Sequence, residues 1–170
     1  KFLEPQSQVI CIEPSALMLA RLQANCNLNN LTVDLANIAL SDTPRFQDLY
    51  LVDGNPGMST LKPWEKAQYS SKMLCWCDTG DNLISNHILP QPTIIKLDVE
   101  GSELEVLKGM KAALDNKALK AIIFEESTNL INEKSHPIYK ILTRAGFTIE
   151  PLRRNEETHH NLDNFIAKRE

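Results

Sequence analysis

Hydrophobic and polar positions along the chain follow two periods in turn, and this pattern predicts an alternation of strands and helices. Apolar or alternating runs predict strands at 8–13, 32–38, 46–52, 72–77, 93–98, 119–125, 147–153 and 163–168. Helical spacing predicts helices over 14–30, 81–88 and 136–147, and another that begins at 101–102. This order, with short crossovers, predicts an α/β layer fold with a largely parallel sheet and a terminal strand pair.

The segment Ile94–Met110, "IIKLDVEGSELEVLKGM", combines a strand pattern with a group of acids. Its continuous apolar start is typical of a strand that is covered on both faces. Asp98 and Glu100 then flank a valine ahead of Gly101. A carboxylate at the end of a buried strand needs hydrogen-bond donors or a cation. The acids therefore predict a bound ligand, or else they only stabilise the N-terminus of the helix that follows.

The start of that helix has a recognisable signal. Ser102 and Glu105 have the S-x-x-E spacing of a capping box, in which each side chain bonds a backbone N–H at the helix start. The spacing predicts a helix that begins at Gly101–Ser102.

Acids also end two other predicted strands. Glu13 stands in "CIEP" and Glu125 in "IFEE". Because ligands bind outside the carboxyl ends of the strands in an open parallel sheet, we expect Glu13, Asp98 and Glu125 to lie along one edge. A carboxylate at the position of Glu13 can accept both ribose hydroxyls of an adenosine. The alternative is a helix-start acid ahead of Pro14.

Composition and charge narrow the range of partners. The 170 residues are 42% hydrophobic and 24% charged, which is typical of one soluble globular domain over residues 1–170. The net charge of -4 argues against nucleic acid, because phosphate binding relies on clustered lysine and arginine. No apolar run approaches the ~20 residues of a membrane helix, and no signal peptide is visible. We therefore predict a cytoplasmic protein with no membrane span, reduced cysteines and no metal site.

Five segments follow one another in a specific order: "VICIEPSALMLARLQANCNLNN", "IALSD", "NPGMSTL", "KLDVEGSELEVLKGM" and "IIFEE". The fourth closely resembles the hallmark segment of the FkbM-type methyltransferases, which depend on S-adenosylmethionine and act mostly on hydroxyl oxygens. The others resemble, in the same order, that family's second strand and helix, third-strand end, Asn-x-Gly-x-Ser-Ser/Thr-Leu turn and fifth strand. The resemblance implies a Rossmann-like class I methyltransferase sheet, mostly parallel with an antiparallel C-terminal strand.

The resemblance also implies which residues bind the cofactor. It implies that Glu13 binds the ribose of S-adenosylmethionine and that Ser41 and Asp42 lie near the adenine. Asp98 is expected near the amino-acid end of the cofactor or near the acceptor.

The predicted catalytic residues are Asp98, Glu100 and Glu125. Glu100 and Glu125 are candidates for acceptor contact or for the base, with no ranking between them, because a hydroxyl acceptor benefits from a base within hydrogen-bond reach. The implied acceptor is a hydroxyl group on a small molecule or a glycan.

Residues in two loops have open alternatives. Trp64 and Tyr69 lie in an irregular segment that would cover the site, and they either stack on a sugar ring or pack in the core. His159 and His160 precede the last strand, and they either contact the substrate as a base or are exposed loop residues.

The sequence departs from the family at one point. The family has an Asp-x-Gly-Ala-x-x-Gly type turn after its first strand, whereas the six glycines here all lie at Gly54 or later. We therefore expect an N-terminally truncated domain with weak cofactor binding and a gap, or a forced pairing, between strands 8–13 and 93–98. Two other interpretations stay open: a non-catalytic methyltransferase-like binding module, and a nicotinamide-dependent oxidoreductase with an upstream G-x-G-x-x-G turn.

Overall fold

The computed structural model describes residues 7–52, 54–64, 67–127, 133–152 and 162–170. These residues form nine β-strands, five α-helices and one 3-10 helix. The strands are β1 (Ile10–Ile12), β2 (Asp34–Ala36), β3 (Ala39–Leu40), β4 (Arg45–Val52), β5 (Tyr69–Asp78), β6 (Ile94–Leu97), β7 (Ala121–Ser127), β8 (Thr148–Pro151) and β9 (Leu162–Lys168). The helices are α1 (Ala16–Leu28), α2 (Gly80–Ser85), α3 (Glu103–Lys108), α4 (Lys111–Asp115) and α5 (Pro137–Arg144), and the 3-10 helix is Pro56–Met58.

The strands form three sheets with both parallel and antiparallel pairs, which confirms the predicted α/β fold. β1 and β2 pair in parallel, and β3, β5 and β4 form a second sheet in that order. The third sheet has the order β6-β7-β9-β8. β6 runs parallel to β7, whereas β9 runs antiparallel to both of its neighbours, as predicted for the terminal strands. β1 and β6 belong to different sheets and do not pair with each other.

β6 lies at the edge of the third sheet, and the exposure of its side chains corrects the prediction of a strand covered on both faces. Ile95 and Leu97 pack on the main core, but Ile94 is 62% exposed and Lys96 is exposed as well. Successive side chains of a strand point to opposite faces, so one face of β6 is covered and the other is open. An apolar run does not reveal on which side a strand has neighbours.

Two other predicted elements are divided. The strand predicted at 32–38 is shortened to β2, and a separate strand, β3, follows it in a different sheet. The Asn37 amide donates hydrogen bonds to the carbonyl oxygens of Glu13 and Pro14, at 2.9 and 3.0 Å, where the chain leaves β2. The helix predicted after β6 is interrupted at Gly109, between α3 and α4.

The main core joins the third sheet to helices α3, α4 and α5. Phe124 of β7 and Phe165 of β9 are fully buried and stack with their ring centroids 5.8 Å apart. A smaller cluster lies between β4 and β5 around Leu49. The third sheet therefore provides the rigid base from which the loops at its carboxyl edge extend.

The four cysteines are free, as predicted: Cys11, Cys26, Cys75 and Cys77. Burial raises the pKa of Cys75 to about 12, so this thiol stays protonated at neutral pH. None of the described helices combines the length and the apolar character that a membrane crossing requires.

Candidate active site

β6 and β7 bring two of the predicted acids to the same edge of the third sheet. Their parallel register places Leu97 opposite Phe124, so Asp98 and Glu125 follow at the same level. This is the carboxyl edge of the parallel pair, where α/β proteins bind ligands. Glu13 follows β1, which belongs to a different sheet, so its place on this edge stays a prediction.

The turn after β6 has a strained backbone that a buried threonine holds. Glu100 and Gly101 have positive φ angles of 52° and 92°, a region that strains residues other than glycine by ~1–3 kcal/mol. The Thr60 hydroxyl donates to the carbonyl oxygen of Glu100 at 2.8 Å, and Thr60 is 1% exposed. Thr60 also pairs with Tyr50 through both of its backbone groups. The "NPGMSTL" segment therefore fixes the conformation of the "DVEG" turn.

The capping box predicted at Ser102 and Glu105 is wrong. Ser102 is the N-cap of α3, but its side chain makes no capping hydrogen bond, and Glu105 forms a salt bridge with Lys62. The Ser102 backbone has φ -106° and ψ 13°, away from the extended conformation in which a serine side chain reaches the first turn. Glu103 closes the turn instead, because its carboxylate accepts a hydrogen bond from Val99 N at 3.2 Å.

Burial and like charge set the ionisation of the acids around this turn. Burial raises the pKa of Glu100, and the negative charges of Asp98, Glu125 and Glu103 raise it further against the opposing effect of Lys96. Burial also raises the pKa of Glu103. Asp98 is 55% exposed and pairs with Lys96 at 2.8 Å. A carboxyl whose pKa moves toward neutrality suits acid–base chemistry, and Glu100 has this property.

A cleft of about 370 Å³ opens beside the turn. It is formed by the segment before β5, the "DVEG" turn, β7 and the start of α5, and its lining residues are Lys62, Trp64, Glu100, Gly101, Glu103, Leu104, Glu125, Glu126, His136, Pro137 and Ile138. Trp64 is half-buried and belongs to neither hydrophobic cluster of the described residues. Of its two predicted roles, packing in the core is therefore wrong. Tyr69 supports it, because the Tyr69 hydroxyl accepts a hydrogen bond from Trp64 N at 2.6 Å.

Sequence reasoning gave no role to Lys62 or His136. His136 is the N-cap of α5, and its Nδ1 is buried without a hydrogen-bond partner in the described part of the chain. A residue before a proline at a helix start is a common structural pattern, so the sequence carries no signal for a site there. His159 and His160 lie outside the described residues. Within the described ranges, no three His, Cys, Asp or Glu side chains are placed to hold a metal ion.

Glu13 stands between β1 and α1. Its Oε1 accepts a hydrogen bond from Ser15 N at 2.7 Å, and Ser15 is the N-cap of α1. Through this oxygen Glu13 acts as a helix-start acid, which was the alternative to ribose binding. The described residues provide no hydrogen bond to the second oxygen. Burial raises the pKa of Glu13, and the Ser15 hydrogen bond opposes this shift. The side chain thus has one acceptor oxygen open at the end of β1.

Arg45 joins the two residues predicted beside the adenine. Arg45 Nη2 donates to Ser41 Oγ at 3.0 Å, and Arg45 Nη1 donates to Asp42 Oδ1 at 2.7 Å. The Arg45 hydrogen bond holds the pKa of Asp42 below its usual range. Ser41 is 1% exposed, and its N–H donates to the carbonyl oxygen of Asp78 at 2.8 Å. Sequence reasoning missed Arg45, for which the three-residue spacing from Asp42 was the available signal.

Comparisons with known proteins identify the fold and the family. A crystal structure of methyltransferase FkbM from Methylobacillus flagellatus KT matches 95% of this chain and 36% of that chain, with a TM-score of 0.59 and 20% identity, which shows a shared fold. Hexuronic acid methyltransferase AglP from Haloferax volcanii is 35% identical over 79 residues, which are 46% of this chain and 31% of that protein. The chain thus spans about a third of the length of each relative. The family model of the methyltransferase FkbM domain matches residues 1–149, and the chain therefore belongs to the FkbM methyltransferase family.

Proposed function

We propose that this chain forms the site of an S-adenosylmethionine-dependent methyltransferase that methylates a hydroxyl oxygen on a small molecule or a glycan. The proposal depends mainly on one observation, the presence of Glu100 and Glu125 in one cleft at the carboxyl edge of β6 and β7. Membership of the FkbM family supports methyl transfer, and gives no support to a nicotinamide-dependent oxidoreductase. A relative that is named for a hexuronic acid supports a glycan-type acceptor.

The residues near β1 and β3 fit the adenosine half of the cofactor. The open oxygen of Glu13 can accept a hydrogen bond from a ribose hydroxyl, because an ionised carboxylate is an acceptor with several lone pairs. We assign Ser41 and Asp42 to the adenine side, where Arg45 holds both side chains. When bound, S-adenosylmethionine supplies a methyl group that is already activated on a positively charged sulfur.

The chain itself has to orient the acceptor and accept its proton. In methyl transfer the acceptor oxygen gains the methyl group by in-line displacement and loses its hydroxyl proton, and orientation supplies up to ~7–11 kcal/mol in ideal cases. We assign the proton to Glu100, which lines the cleft and has a raised pKa. Glu125 is assigned to acceptor contact. Asp98 is assigned to the amino-acid end of the cofactor, since it is largely exposed and lies outside the lining of the cleft.

The test measures transfer of a labelled methyl group from S-adenosylmethionine to a panel of alcohols, neutral glycosides and uronic acids. Glu100→Gln should lower kcat by about 100-fold or more, the smallest effect expected for loss of a general base. Glu150→Gln is the matched control, because it removes a carboxylate on β8 outside the cleft. A wild-type kcat in Glu100→Gln would refute the assignment of the base. A wild-type chain that binds cofactor and acceptor without turnover would instead support a non-catalytic binding module.

A further inference from the structure

The wall of the cleft beside the "DVEG" turn carries buried negative charge. Glu103 lines the cleft and is only 7% exposed, and Glu100 lines the same wall. Lys62 is the lysine among the described lining residues, and it forms a salt bridge with Glu105. An anionic ligand would therefore meet like charge in a partly desolvated space, where repulsion is screened less than in bulk water.

Trp64 provides a flat apolar surface on the same turn. Its indole nitrogen lies 3.7 Å from the position that a Cβ at Gly101 would occupy, so the ring borders the turn. The hydrogen bond between Trp64 N and the Tyr69 hydroxyl fixes the backbone of the tryptophan. An aromatic side chain with an apolar face and a polar N–H suits a ligand with both kinds of surface, such as a sugar ring.

His136 lines the cleft at the start of α5. Its Nδ1 is buried, and no described residue bonds to it. An unpaired buried nitrogen costs free energy, which a rotation of the imidazole toward a ligand hydroxyl would recover. A neutral imidazole nitrogen is either a donor or an acceptor, depending on the tautomer. A hydroxyl can pair with Nδ1 in both tautomers, whereas an ionised carboxylate can only accept.

From these three features we infer that the cleft selects an uncharged, hydroxyl-rich ring, such as a neutral hexose, over an anionic ring such as a hexuronate. Trp64 packs on the ring, His136 binds one of its hydroxyls, and the carboxylates of Glu100 and Glu103 disfavour a second negative charge. The inference rests on the proposed function, because it names the acceptor class of the same cleft. It separates this chain from its relative AglP, which is named for a hexuronic acid.

The test is a sugar titration of the full chain, followed through the NMR signals of the tryptophan indole N–H groups. The chain has two tryptophans, and Trp76 is an internal control, because it lies on β5 against Phe46 and outside the cleft. The ligands are methyl β-glucopyranoside and the corresponding glucuronide at neutral pH. We expect the neutral sugar to move the Trp64 signal and to leave the Trp76 signal in place. The dissociation constant of the glucuronide should be at least about fivefold higher. This is the change that repulsion between two like charges about 4 Å apart in water produces.

A pair of matched variants tests whether charge causes the selectivity. Glu103→Gln removes the buried charge but keeps an oxygen that can accept the Val99 N–H, so it should reduce the ratio of the two dissociation constants. Glu150→Gln makes the same change on β8, outside the cleft, and should leave the ratio unchanged. Trp76→Phe assigns the two indole signals.

The inference is overturned if the glucuronide binds as tightly as the neutral sugar or more tightly, or if neither sugar moves the Trp64 signal. Methyl transfer to uronic acids in preference to neutral sugars would support the proposed function and overturn the inference. If the neutral sugar binds selectively but no methyl transfer occurs, the inference on selectivity is supported and the proposed function fails.

Discussion

Replacement of Gly109 by alanine should break the contact between helix α3 and the loop that carries Ser41 and Asp42. Gly109 is the C-cap of α3 and has an ordinary φ of -82°, so the requirement for glycine is one of space. A Cβ at this position would lie 2.0 Å from the carbonyl oxygen of Ser41. Ser41 cannot move away easily, because its N–H bonds the carbonyl of Asp78 at 2.8 Å and the residue is 1% exposed.

Two contributions of opposite sign decide the size of the effect. Overpacking a buried contact costs ~1–3 kcal/mol, and we take the upper end because the clash is with a backbone oxygen. Glycine-to-alanine replacement at an ordinary φ also stabilises by ~0.4–1 kcal/mol, since the unfolded chain loses freedom. The net loss in free energy of unfolding is therefore about 2 kcal/mol. In a domain of this size that loss lowers Tm by roughly 4–8 °C.

Urea denaturation followed by circular dichroism measures this loss, and a thermal scan measures the change in Tm. Gly57→Ala is the matched control, because a Cβ there would meet Asn55 Oδ1 at an ordinary 3.5 Å. With no clash, it should keep the gain from the restricted unfolded chain, so its free energy of unfolding should exceed that of the wild type by ~0.4–1 kcal/mol. If Gly109→Ala proves as stable as Gly57→Ala, the steric reasoning is refuted.

Three further predictions concern the "DVEG" turn and the loop that carries Ser41 and Asp42. Thr60→Val should lower the free energy of unfolding by ~1–3 kcal/mol, because the hydrogen bond from the buried Thr60 hydroxyl to the carbonyl of Glu100 is lost. Thr60→Ser keeps the hydroxyl, and equal losses in the two variants under urea would contradict this. Burial raises the pKa of Glu103 in the folded protein above its ordinary 4.5. Above this raised pKa the side chain is charged, and its burial destabilises the fold. The fold regains this stability as the pH falls from the raised pKa toward 4.5. Glu103→Gln should therefore stabilise the fold at neutral pH and flatten this dependence, and parallel stability–pH curves for variant and wild type would speak against it. Arg45→Gln should raise the pKa of Asp42, which the arginine now lowers; an NMR titration that finds no change would remove Arg45 as the cause.

The order of the elements could be predicted from the sequence because hydrophobic period is a local property. The strands predicted at 93–98 and 119–125 appear as β6 and β7, and the chain order alone places an acid directly after β6. The family could be predicted for the same reason, since its motifs are contiguous segments that need no knowledge of the fold.

The edge position of β6 and the failed capping box could not be predicted in this way. A run of apolar residues looks the same whether a strand has one neighbour or two. The S-x-x-E spacing at Ser102 was correct as a pattern, but the turn before it sets ψ to 13°, and the side chain then has no route to the first turn of the helix.

The sequence by itself determined the succession of strands and helices, the family, and the acids that follow β6, because each of these is encoded within a short stretch of chain. Only the tertiary structure decided which residues meet in the cleft. Thr60 bonds the carbonyl of Glu100 from 40 residues away, and His136 reaches the same cleft from the start of α5. Such contacts depend on sheet register and on the packing of distant elements, and neither is set by the residues adjacent in sequence.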